Sequence, residues 1–125
     1  MFQGAVNGEG EAVLHLVVLS DQGQVLQAEV VVDTGYTGTL TLPPSLISKL
    51  RLPLNGKSLA VLADGSEIIC ETYDGTVIWH GQQLQIRIDA VDSDPLLGMD
   101  LLYGSKLTIE VMEGGEVLIQ ELPLS

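Results

Sequence analysis

Glycine-bearing turn signals cut this chain into pieces too short for ordinary helices. "NGEG", "SDQG", "LNGK", "ADGS", "YDG", "WHGQ" and "MEGGE" separate short apolar or alternating runs. That spacing predicts antiparallel hairpins in an all-β domain. Strands are expected at Ala12 to Leu19 and Val25 to Val32. Ser58 to Leu62 and Glu67 to Tyr73 flank "ADGS", and Thr76 to Trp79 and Leu84 to Val91 flank "HGQQ". Leu107 to Met112 and Glu116 to Leu122 flank "EGG". "LQIRIDAV" alternates cleanly, so one of its faces should be buried and the other wet. Two helical turns fit the remainder. "PPSLISKL" has Pro44 near a first helical position and apolar residues at Leu46, Ile47 and Leu50. "GMDLLYG" is bounded by Gly98 and Gly104, the latter a natural C-terminal stop. With 125 residues, no linker and no repeat, the expectation is one domain over 1–125. Its architecture is a small β-barrel or sandwich with one or two short helices.

Charge narrows the partners. The chain carries 17 acidic against 5 basic residues, a net charge of −12. Phosphate backbones and anionic membranes need clustered Lys and Arg, so neither nucleic acid nor membrane is expected as a partner. The single cysteine, Cys70, sits in a strand-like run and reads as a small buried hydrophobe. With no disulfide framework and no signal-like basic and apolar start, the expected location is cytoplasmic.

One stretch stands apart. In "EVVVDTGYTGTLTLP", a β-branched strand runs straight into Asp33, then Thr34 and Gly35. Asp-x-Gly alone is ordinary turn chemistry, because Asp bonds its own backbone and Gly permits positive φ. The context is less ordinary. Thr37, Thr39 and Leu40 follow closely, and further on "DPLLGMDLL" places Leu96 and Leu97 before Gly98 and a helical turn.

The order of "VVVDTG", a hairpin around "LADGSEII" and "LLGMDLL" resembles the retropepsin-like aspartic proteases, in particular their small bacterial and archaeal single-lobe members. The resemblance spans roughly Val30 to Ile109. It implies a closed β-barrel with a flap hairpin, in which Asp33 is the catalytic carboxylate. Thr34, Gly35, Tyr36 and Thr37 would form the active-site loop. Thr34 would bond across a dimer, and Gly35 would give the backbone room to approach substrate. Ala63, Asp64, Gly65 and Ser66 would form the flap tip, and Leu96, Leu97 and Gly98 would support the loop from below.

The chemistry needs two carboxylates. Like charges at short range cannot both ionise, so a close pair holds one proton and supplies both a base and an acid. The chain has one Asp-Thr-Gly, so the resemblance implies a homodimer acting on an extended peptide or protein, with no cofactor and no metal. His15 and His80 have no second ligand at metal spacing. No Gly-x-Ser-x-Gly or Cys–His arrangement offers another nucleophile. Few aromatics disfavour a sugar-cleaving site, and Trp79 reads as strand packing. The alternative is a non-catalytic peptide-binding or scaffolding domain of the same fold. It draws on Tyr36, a large side chain where many members carry Ser or Ala. Thr37 and Met99 stand where viral members pair Asp with Arg, and "ADGS" lacks their glycine-rich flap tip.

Overall fold

The alternation in "AVLHLVVL" becomes β2 (Ala12–Leu19), whose Ala12, Leu14, Leu16 and Val18 point inward while His15 faces solvent. This strand sits within a computed structural model that describes residues 2–61 and 64–123. The described residues are mostly β, with few helices. The other strands are β1 (Phe2–Val6), β3 (Val25–Val32), β4 (Leu40–Leu42), β5 (Leu54–Val61) and β6 (Glu67–Trp79). They continue with β7 (Gln82–Ala90), β8 (Leu96–Leu97), β9 (Ser105–Ile109) and β10 (Glu116–Glu121). Two short helices, α1 (Pro44–Leu50) and α2 (Met99–Leu102), fall where the proline and the two glycines predicted them. Arg51, at φ 53°, ends α1, and Gly104, at φ 85°, follows α2.

The strands pair in the order β5-β6-β7-β4-β8-β3-β2-β1-β10-β9, and β2 also pairs with β6 at Val18↔Val77 and Leu19↔Thr76. Leu14, Leu16, Val18, Val30, Leu40, Leu42, Val77, Ile88 and Leu97 fill the main core. Ile47, Leu50, Leu101 and Leu102 from the helices close it. A smaller cluster of Val6, Ala12 and Val117 packs with Val32, Leu107 and Ile109.

Several expectations change. The expected hairpins are antiparallel, but strands outside them pair differently: β3 runs parallel to β8 and β4 parallel to β7. These two insertions escape period-2 reading because β4 is buried at all three positions, and such strands read as plain apolar runs. "YDG" is not a turn. Asp74 and Gly75 lie inside the continuous β6, opposite Arg87 and Ile86. The glycine serves close packing there, since a Cβ at position 75 would sit 2.5 Å from Ile88 Cδ1. "LNGK" is likewise no hairpin turn but the site of a register shift between Leu54 and Gly56 in β5. Phe2–Val6 forms a strand that the turn signals did not mark. The strand expected at Leu107 to Met112 starts and stops earlier, leaving Val111 and Met112 in the turn before β10. The expected strand end Leu62 and the flap residue Ala63 lie outside the described residues.

Candidate active site

β3 carries the chain from the core toward the surface. Val30 is fully buried, Val31 to Asp33 are half-buried, and Thr34 and Gly35 are exposed. The carboxylate therefore sits where a buried strand meets solvent. Its Oδ1 accepts the Gly35 amide at 2.9 Å, and the Asp33 carbonyl accepts the Tyr36 amide at 3.2 Å. A short side chain closing on its own backbone two residues on is the usual way an Asp starts a turn.

β8 lies between β3 and β4, the two strands that the loop connects. The segment entering α2 thus runs beneath the loop and pins it. Asp33 N–H donates to the Leu97 carbonyl at 2.9 Å, and Gly98 N–H to Thr39 at 2.9 Å. Met99 N–H donates to Tyr36 at 2.8 Å, and Asp100 N–H to Gly38 at 3.1 Å. Gly98 has no room for a side chain, since a Cβ there would lie 2.2 Å from the Gly38 carbonyl oxygen and 2.8 Å from that of Tyr36. Thr41, fully buried, accepts the Leu96 amide on its hydroxyl at 2.9 Å and ties the floor to β4.

Tyr36 does not stand over the carboxylate. It is 1% exposed, and its ring lies against Gly98 and Gly38. A Cβ at position 38 would be 2.3 Å from its hydroxyl oxygen, and one at 98 would be 2.5 Å from Cδ2. The hydroxyl donates to Asp89 Oδ2 at 2.5 Å, as expected of a hydroxyl bonded to a charged acceptor. Burial first, and the Asp89 hydrogen bond second, push the phenol well above its ordinary pKa, so the group stays a donor. Asp89 Oδ1 accepts the Ser58 hydroxyl at 3.1 Å, and Ser58 Oγ lies 3.7 Å from Cys70 Sγ. Burial pushes the Cys70 thiol up. One half-buried carboxylate on β7 thus links the Asp33 loop to the β5–β6 hairpin.

The structure brings Asp33, Thr34, Gly35, Tyr36 and Thr37 together with Leu96, Leu97 and Gly98. Asp64, Gly65 and Ser66, expected as flap residues, lie at the far end of the β5–β6 hairpin, between the paired Val61 and Glu67. Asp64 Oδ1 accepts the Ser66 hydroxyl at 2.6 Å and its amide at 2.9 Å, which holds the Asp64 carboxyl below the usual carboxylate range. Gly65 takes φ 85°. Among the described residues the hairpin meets the loop's hydrogen-bond network through Ser58. Among the described residues Asp33 accepts a single side-chain hydrogen bond, from Gly35, and no second carboxylate pairs with it. Two surface concavities, of about 480 Å³ around Glu11, Leu26 and Pro95 and about 400 Å³ around Asp74, Gln85 and Arg87, both exclude Asp33.

Nothing in the sequence singles out Asp89 or Ser58. Alternation in "LQIRIDAV" puts Asp89 on the wet face with Arg87, and only the fold reveals that Tyr36, 53 residues away, covers it. Among the described residues no group of three or more His, Cys, Asp or Glu side chains is arranged to hold a metal ion. His80 Nε2 pairs with Ser105 Oγ at 2.8 Å, and Trp79 stacks on Phe2 with centroids 4.6 Å apart. No described helix is long and apolar enough to cross a membrane. Comparison of the chain with protein-family models, with curated proteins and with solved structures returns no match.

Proposed function

We propose that this chain is one half of a retropepsin-like aspartic endopeptidase, active in the cytoplasm as a homodimer in which two Asp33 carboxylates meet at the two-fold axis. The observation that carries the reading is the Asp33 loop. A solvent-facing carboxylate sits at the end of a buried strand, held by the Gly35 amide and pinned from beneath through Leu97, Gly98, Met99 and Asp100. A surface turn has no need of so rigid a floor. The finer architecture has support of its own. The pairings β6-β7-β4-β8-β3-β2-β6 return to their start, as a closed barrel requires, and the β5–β6 hairpin is available as a flap. The inward set of Tyr36 removes the side chain that would have filled the site in a non-catalytic relative.

In the dimer the two carboxylates hold one proton between them. The ionised one takes a proton from a water that attacks the peptide carbonyl. The protonated one gives its proton to the carbonyl oxygen, and as the tetrahedral species collapses the first carboxyl passes the water's proton to the leaving amine while the second takes back a hydroxyl proton, which restores the singly protonated pair. A monomer holds half of this machinery, so activity per chain falls as the protein is diluted below its dimer Kd. Peptide-library cleavage across acidic to neutral pH, comparing wild type with Asp33→Asn, tests the proposal. Asn retains the Oδ1 that accepts the Gly35 amide, so the fold should survive while cleavage is lost. Absence of cleavage by a wild-type dimer at every pH, or cleavage retained by the variant, refutes it.

A further inference from the structure

β9 is the free end of the strand order. Among the described residues it pairs with β10 alone. The amide of Glu110 and the carbonyl of Gly104 bond across to β10, so the backbone groups of Ser105, Leu107 and Ile109 point away from it. Exposed apolar side chains crowd both ends of this open edge. Tyr103 is 89% exposed just before β9, and Val111 and Met112 are 81% and 68% exposed just after it. Together with Ile69 they are the four most exposed large hydrophobics among the described residues. An unpaired edge flanked this way is a template for another strand.

We infer that β9 pairs antiparallel with β9 of a second copy, in the register centred on Thr108. Charge selects both the occupant and the register. Lys106, one of only five basic residues in the chain, and Glu110 are both exposed. Centring the pair on Thr108 sets Lys106 opposite the partner's Glu110, twice by symmetry. Glu110 holds the Glu116 amide through Oε1 at 2.9 Å, which leaves its second oxygen for the lysine. The same register carries Tyr103 at one end toward the partner's Val111 and Met112 at the other. Centring on Leu107 keeps Tyr103 opposite the partner's Val111 but sets Lys106 opposite Thr108, and centring on Ile109 sets Lys106 opposite Met112, so only the register centred on Thr108 makes the charge pairs. A foreign strand would need this charge pattern by chance, whereas a second copy supplies it by identity. The opposite free edge, β5, is blunted by its register shift and carries Lys57 with no acidic residue of its own strand to pair with across a two-fold.

The edge also lies on the right side of the molecule. Leu107 and Ile109 pack against the Val6, Ala12 and Val117 cluster, as does Val32, the residue before Asp33. One two-fold axis can therefore serve both the β9 pair and the two Asp33 loops. That last step rests on the proposed function, whereas the β9 pairing rests on the edge itself.

Sedimentation of the full chain tests it. The wild type should dimerise, and Lys106→Glu should weaken the dimer roughly tenfold or more by turning two attractive pairs repulsive. The exchange of both charges, Lys106→Glu with Glu110→Lys, should restore most of the loss. Thr108 is exposed and faces its own copy at a non-hydrogen-bonded position, where Cα atoms approach to about 4.5 Å. Thr108→Cys should therefore form a disulfide-linked dimer on oxidation, and Lys106→Cys should not. A monomer at all concentrations, or a dimer indifferent to Lys106→Glu and unlinked by Thr108→Cys, overturns the inference. A β9-linked dimer that cleaves nothing leaves it standing and removes the peptidase reading. A dilution-sensitive peptidase insensitive to these variants overturns it alone.

Discussion

Replacing Tyr36 with Phe removes one oxygen atom and keeps the ring between Gly38 and Gly98. The lost bond is short, buried at the donor and made to a carboxylate. Hydrogen bonds to charged groups contribute about 1.5–3 kcal/mol. Asp89 keeps the Ser58 hydroxyl at 3.1 Å, so the lower half of that range applies, about 2 kcal/mol. For a domain of this size that is roughly 6–10 °C in Tm. The pH dependence separates this bond from general loosening. The phenol's folded pKa is raised above its ordinary value of 10.0. The stability it contributes is therefore fully present below pH 10 and is lost above it, because the unfolded chain releases the proton while the folded chain retains it. The slope is about 1.4 kcal/mol per pH unit. The Tyr36→Phe variant has no such proton, so the gap between wild type and variant should close from about 2 to about 0.6 kcal/mol between neutral pH and pH 11. The raised Cys70 and Tyr73 groups titrate in both proteins and cancel in the difference. Urea unfolding at a series of pH values measures it. Equal stability at pH 7, or a gap that stays constant to pH 11, would refute the account of Tyr36.

Two further variants probe the same construction. Ser58→Ala should cost about 0.5–1.5 kcal/mol by urea unfolding, and combined with Tyr36→Phe it should cost more than the sum, because Asp89 then keeps neither partner. Strict additivity would show that Asp89 is not their shared acceptor. Gly98→Ala pushes a methyl into two carbonyl oxygens at 2.2 and 2.8 Å, and since both belong to pinned backbone the cost should reach roughly 3 kcal/mol; on the proposed function, cleavage is lost as the loop shifts. A variant of wild-type stability would mean that the floor beneath the loop yields.

What could be read in advance follows physical range. The hairpins of β2–β3 and β9–β10, and both helices, rest on local chemistry: period-2 burial, turn glycines, and a proline at a helix start. The Asp33 loop was legible for the same reason, as its first bond spans two residues. Asp74-Gly75 misled because a glycine needed for packing on Ile88 looks identical to one needed for a turn. β4 and β8 carry no alternation, so their parallel partners followed from no local rule. The Tyr36–Asp89 contact joins residues whose neighbours in sequence say nothing of one another.

On the proposed function, that contact bears on how a half-site becomes whole. If the Asp33 loop needed a second copy to take shape, association would have to drive local folding as well as docking. The loop here is complete within one chain. Four backbone hydrogen bonds hold it from beneath, and Tyr36 anchors it to Asp89 on β7, which Ser58 ties to β5. On that reading a second copy has only to present its own carboxylate. Preorganisation of this kind lowers the ordering cost of association, so that buried apolar contact at an edge such as β9 is not spent on shaping the loop. On the proposed function, the dependence of cleavage on protein concentration would therefore follow the dimer Kd from sedimentation, with no separate loop-ordering step.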